Sequence, residues 1–114
     1  MAYTLSAPFG AADTTTVVIP AAATGGTATI TSQLTIITTA TITSNLALAL
    51  TADASLKAGA MILLVLTTNA TETCTFSVNI VAPVITGVSG KTVTQAFIYN
   101  GTNFYPCGAK IQVN

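Results

Sequence analysis

The chain has 114 residues, 51% of them hydrophobic and only 5% charged, and its formal net charge is +0. That length makes one ordinary domain able to bury a core without metals or obligatory disulfides, but an average soluble domain carries roughly 25% charged residues. With no His, Trp or Arg and only three lysines, the chain cannot neutralise a run of phosphates, so nucleic-acid binding is excluded as a function class.

A surface with so little charge to mix must be Thr, Ser, Ala and apolar, and such a surface is expected to be covered by other protein subunits. The longest apolar run, Ala58 to Leu66, contains Gly59 and falls far short of the roughly 20 residues of a spanning helix. A β-barrel pore would need two aromatic girdles, for which four Phe and three Tyr are few. Met1 to Gly10 has neither the basic residue nor the apolar stretch of a secretory signal, so the chain is expected to begin here and to be made in a cytoplasm. Cys74 and Cys107 are then expected as free thiols, a disulfide being the lesser alternative.

Twenty-three threonines, with Val and Ile, load the chain with β-branched residues that suit a pleated surface, and the expected fold is all-β: a single β-sandwich or barrel-like domain. Residues 1–43 are Thr- and Ala-rich with few large apolar anchors and read as an N-terminal arm or outer strands, with short β-segments at Thr14–Ile19, Thr27–Thr31 and Leu34–Thr43. The string Thr-Ala-Thr-Ile-Thr occurs at Thr27–Thr31 and at Thr39–Thr43 and does not recur, which reads as coincidence. Residues 44–114 read as the sandwich core of the same compact domain.

Leu46, Leu48 and Leu50 alternate with alanines as a strand should, although the Ala and Leu content of Asn45–Leu66 also suits a helix. Asp53 to Gly59 is expected to turn the chain, with a helical turn over Ala52–Ala58 capped by Asp53. Ala60–Leu66 reads as a fully buried strand. From Thr73 the alternation places Cys74, Phe76, Val78 and Ile80 on one face. Pro83, Gly87 and Gly90 make Ala82–Lys91 a connection, and Thr92–Tyr99 resumes as a strand. Asn100-Gly101 predicts a tight hairpin because that pair tolerates positive φ at both turn positions. The last strand is expected over Ala109–Val113.

Candidates for chemistry are few. Asp13, Asp53 and Glu72 lie in three separate segments and form no carboxylate motif, and no His exists to activate a Ser or Thr. Ser55 with Lys57 and Ser89 with Lys91 are formal Ser-Lys pairs but lack a nucleophile-elbow context. Gly90-Lys91-Thr92 has the wrong upstream glycine spacing for a phosphate loop, and the sequons at Asn69 and Asn100 are expected by chance where Thr is so frequent. The cysteine spacing matches no zinc or redox pattern. No catalytic, cofactor-binding or metal-ligating residue is assigned, no cofactor is expected, and the chain is read as not an enzyme.

The stretch from Leu56-Lys57-Ala58-Gly59-Ala60 through the Ala82-Pro83-Val84-Ile85-Thr86-Gly87 loop to Tyr99-Asn100-Gly101-Thr102 resembles small β-rich virion proteins of tailed bacteriophages, and the resemblance covers about half the chain. It implies an auxiliary or decoration protein of the capsid, among phages of the crAss-like group. It further implies a homo-oligomer on the capsid surface, contacting the major capsid protein and other virion subunits, without nucleic acid, membrane or small-molecule substrate. The alternative reading is a head- or tail-fibre adhesin in which Tyr99, Phe104 and Tyr105 stack on a host glycan. A Thr-rich ice-binding face would need a sustained Thr ladder.

Overall fold

The β-branched load dictates extended chain, and in a computed structural model residues 14–77 and 79–113 are described as ten strands without a helix. They are β1 (Thr14–Ile19), β2 (Gly25–Ile30), β3 (Leu34–Thr39), β4 (Leu46–Ala52), β5 (Met61–Thr67), β6 (Thr73–Phe76), β7 (Ile85–Thr86), β8 (Thr92–Tyr99), β9 (Phe104–Pro106) and β10 (Ile111–Gln112).

Through β6 the chain winds as a spiral. Odd strands stack in sheet A in the order β1, β3, β5, and even strands stack in sheet B in the order β2, β4, β6, all parallel. Parallel neighbours need a long crossover, usually a helix; here the crossover is a strand of the opposite sheet. The spiral then closes with antiparallel strands. In sheet B, β7 pairs with β6, and in sheet A, β8 pairs with β5 while β9 and β10 share its far side. The chain is therefore all-β with two packed sheets, as expected, and the parallel winding is what composition did not reveal.

One hydrophobic core lies between the sheets. Ile37, Ile62, Leu64, Leu66, Val93 and Phe97 enter it from sheet A, and Ile30, Leu46, Leu48, Leu50 and Cys74 from sheet B. Ile19, Ile30, Ile37 and Ile42 belong to the same core, and residues 14–43 supply the edge strands β1 and β2 and the interior strand β3, while residues 1–13 lie outside the described residues. Thr35 also faces inward, 1% exposed, and its hydroxyl has no hydrogen-bond partner among the described residues. A buried hydroxyl left unpaired costs about 1–3 kcal/mol, so Thr35→Val, which keeps the shape, is expected to raise stability by about 1 kcal/mol in urea unfolding.

Asn45–Leu66 forms the strands β4 and β5, as the alternating leucines predict, but several local expectations are corrected. No helical turn forms over residues 52–58; instead the Asp53 carboxylate accepts from the Ser55 N–H at 3.0 Å and from the Ser55 hydroxyl, and Leu56 N–H donates to the Asp53 carbonyl at 3.0 Å. These bonds hold the Asp53 carboxyl below its ordinary range, the Ser55 hydroxyl contributing most. The strand at 60–66 is not fully buried. In β5, Ile62, Leu64 and Leu66 face the core while Met61, Leu63 and Val65 face out, because no described element packs on the far side of sheet A.

The strand from Thr73 stops at Phe76 because Ile80 N–H turns back to the Ser77 carbonyl at 3.0 Å, and Ile80 is buried through a separate bridge to Phe104. Val78 lies outside the described residues. The connection 82–91 contains the short strand β7. The hairpin after Tyr99 is a four-residue loop in which only Gly101 has positive φ. Its lead residue acts through its side chain: Asn100 Oδ1 accepts from Thr102 N–H at 2.9 Å and Asn103 N–H at 2.8 Å.

Candidate docking surface

Side chains alternate across a strand, so the inward set of sheet A fixes an outward set of equal length. Register lines these up in rows. One row runs Thr14, Leu34, Met61, Ile98 and Tyr105; the next Thr16, Ile36, Leu63 and Ala96; the next Val18, Thr38, Val65, Thr94 and Ile111. Every member is apolar, Thr or Tyr. Val18 is 68% exposed and Ile111 59%. At strand and residue spacings the rows cover on the order of 400 Å², a size at which apolar patches on monomers are often functional.

Charge is absent for a structural reason. The described charged residues, Asp53, Lys57, Glu72, Lys91 and Lys110, all lie in connections and none lies in a strand. The outer face of sheet B is also uncharged but shallow, with Thr27, Thr29, Ala47, Ala49, Thr51 and Thr75 as its small side chains. Its only Thr-on-Thr registers among the described strands are Thr29 with Thr51 and Thr73 with Thr86, too few for a ladder.

The sequence candidates for chemistry are dispersed. Ser55 Oγ donates to Asp53 and Ser89 Oγ donates to the Asn69 carbonyl at 3.1 Å, so both serines are engaged away from their lysines. Gly90 occupies a turn in which Lys91 N–H donates to the Val88 carbonyl at 2.9 Å, and a strand follows it. Among the described residues no three His, Cys, Asp or Glu side chains are grouped as a metal site would need. Asp13 lies outside the described residues. Of the three hairpin aromatics, Tyr99 and Phe104 pack on each other inside, at a centroid distance of 4.7 Å, and only Tyr105 is presented to solvent.

The two cysteines are free and differently placed: Cys74 is buried in β6 and Cys107 is exposed beyond β9. Burial pushes the Cys74 thiol up to about 12. Treatment of the folded protein with a thiol reagent at pH 8 is expected to modify one equivalent, at Cys107, and a second only in denaturant; mass spectrometry after digestion reads the sites. What sequence reasoning missed is the outward half of sheet A. Its signal was the unbroken apolar run of β5, read as burial on both faces.

No family model, curated protein or solved structure matches the chain.

Proposed function

We propose that the chain is a structural virion protein, an auxiliary or decoration subunit that binds the surface of a phage capsid through protein–protein contacts, as a symmetric homo-oligomer. One observation carries the reading: the outer face of sheet A is a broad apolar and Thr surface with no ionic group on any of its strands. Such a face gains by leaving water, and its removal from water desolvates no charge. The resemblance of residues 56–104 to small phage virion proteins supplies the class of partner. The glycan-binding alternative loses its platform, since two of its three aromatics are turned inward.

The test is sedimentation with isolated capsid shells. The native protein is expected to pellet with shells, and Leu63→Lys, which sets an ammonium in the middle of the face, is expected to weaken that binding on the order of 100-fold through lost apolar burial and a desolvated charge. Thr29→Lys on the opposite sheet serves as the control and should bind like the native chain. A native protein that stays in the supernatant and remains monomeric at high concentration would sink the reading.

A further inference from the structure

The side of the sandwich remote from β1 and β2 is where both sheets end, sheet B in β7 and sheet A in β9 and β10. Between them lies a cavity of about 250 Å³. Phe97, 1% exposed, and Ile85, 3% exposed, line it at depth, with Val84 on the sheet B side and Pro106 on the sheet A side. Only two of the lining residues carry polar side chains. Gln95 spends its amide nitrogen on the carbonyls of Ala96 at 2.9 Å and Gly108 at 3.1 Å. Lys110 brings an exposed ammonium, which makes no ion pair among the described residues.

We propose that this cavity is an anchor pocket for an extended, acidic segment of a partner protein, which pairs with the free edge of β7 and inserts one large apolar side chain beside Lys110. The volume suits that occupant: an apolar cavity of about 150 Å³ already takes a benzene ring, so the larger space here holds a phenylalanine side chain with room for its stem. The edge suits it as well. β7 bonds to β6 on one side and has no described strand on the other, and an added strand would point alternate side chains inward, which is how edge addition combines backbone affinity with pocket specificity. The Lys110 ammonium selects the charge of the flanking residues, since a carboxylate beside the anchor completes a pair at the mouth. This pocket is distinct from the outer face of sheet A, and the inference does not depend on the capsid reading.

The experiment is an NMR titration of the full chain with an acetylated, amidated heptapeptide of threonines that has phenylalanine at its centre and glutamate on either side. Expected are saturable shifts at Ile85, Thr86, Ala109 and Lys110. Replacing the peptide's phenylalanine by alanine should abolish them. Ala109→Leu, which fills the mouth, should weaken binding by more than about tenfold, and Lys110→Gln by up to about fivefold because the pair is exposed; unchanged circular dichroism and melting confirm both folds. Leu63→Lys should leave the titration as it was. Phenylacetate is the second probe. Tighter binding of phenylacetate than of the peptide would show a small-molecule site and overturn the proposal, as would absence of shifts at millimolar peptide or undiminished binding to Ala109→Leu.

Discussion

Gly87→Ala is expected to destabilise the protein by about 3 kcal/mol or more, although the new side chain is a single methyl group. A Cβ at position 87 would lie 2.6 Å from Thr68 Cβ and still closer to the Thr68 hydroxyl and methyl. Thr68 cannot move aside, because it is 1% exposed and three hydrogen bonds tie it to residues 88–91: its Oγ1 donates to the Val88 carbonyl at 3.0 Å, its N–H donates to the Lys91 carbonyl at 3.2 Å, and its carbonyl accepts from Gly90 N–H at 3.0 Å. Nor can residue 87 easily retreat, since its N–H donates to the Glu72 carbonyl at 2.9 Å. Overpacking a tight site costs about 1–3 kcal/mol, and a displaced buried hydroxyl adds a similar amount. Trimming the neighbour should not rescue it: in Gly87→Ala combined with Thr68→Ala the Cβ at 68 remains, so most of the loss should persist in urea denaturation. Full recovery in that double variant would show that the clash is with the hydroxyl and methyl and not with the Cβ.

The Thr68 contact also shows which parts of the fold were legible. Strands with strict alternation were readable from residues alone: Thr92–Tyr99 is β8 to the residue, and Leu46, Leu48 and Leu50 are the buried positions of β4. Their period of two leaves one face to bury. The spiral was not readable, because its coils differ in length and chemistry. Thr14 stands opposite Leu34 and Leu34 opposite Met61, so successive coils are 20 and then 27 residues apart with unlike residues at one position. The one exact internal string marks no coil, in keeping with its reading as coincidence. Its first copy starts within β2 in sheet B, and its second spans the end of β3 in sheet A and the loop beyond, so the copies are not structural equivalents. Contacts such as Gly87 on Thr68 join segments far apart in sequence, and no local pattern announces them.

The uncharged outer face follows from the same physics from another direction. Composition told how little charge exists, and the turns told where most of it would go, since Asp53, Lys57, Lys91 and Lys110 all stand beside Gly, Ser or Asn-rich breaks. What composition could not tell was which strand face stayed uncovered. β5 reads Met-Ile-Leu-Leu-Val-Leu before its last residue, Thr67, the one polar mark of an outside, and its neighbours β3 and β8, which bring Thr38, Thr92 and Thr94 to the same side, show that this side is not core. A strand almost wholly apolar on both faces in a two-layer fold leaves one face that no described residue covers.

Phe97→Ala is expected to cost about 3–5 kcal/mol, the range for removing a buried aromatic ring when the site does not collapse. Phe97 is 1% exposed on β8, and its ring meets Phe76 of β6 edge to face at 5.4 Å and 64°, a contact that joins sheet A to sheet B where the parallel spiral gives way to the antiparallel closure. Against a total of about 5–15 kcal/mol for a domain, that loss removes a fifth or more of the margin. It lowers the melting temperature by about 4–8 °C for each kcal/mol. Phe76→Ala should cost less, because Phe76 is only half-buried. The two effects should not add: a double-mutant cycle is expected to give a coupling of about 0.5–1.5 kcal/mol, the value of an edge-to-face pair beyond its buried area. Strict additivity would mean that the rings merely lie near each other, and that the sheets are held by aliphatic packing alone.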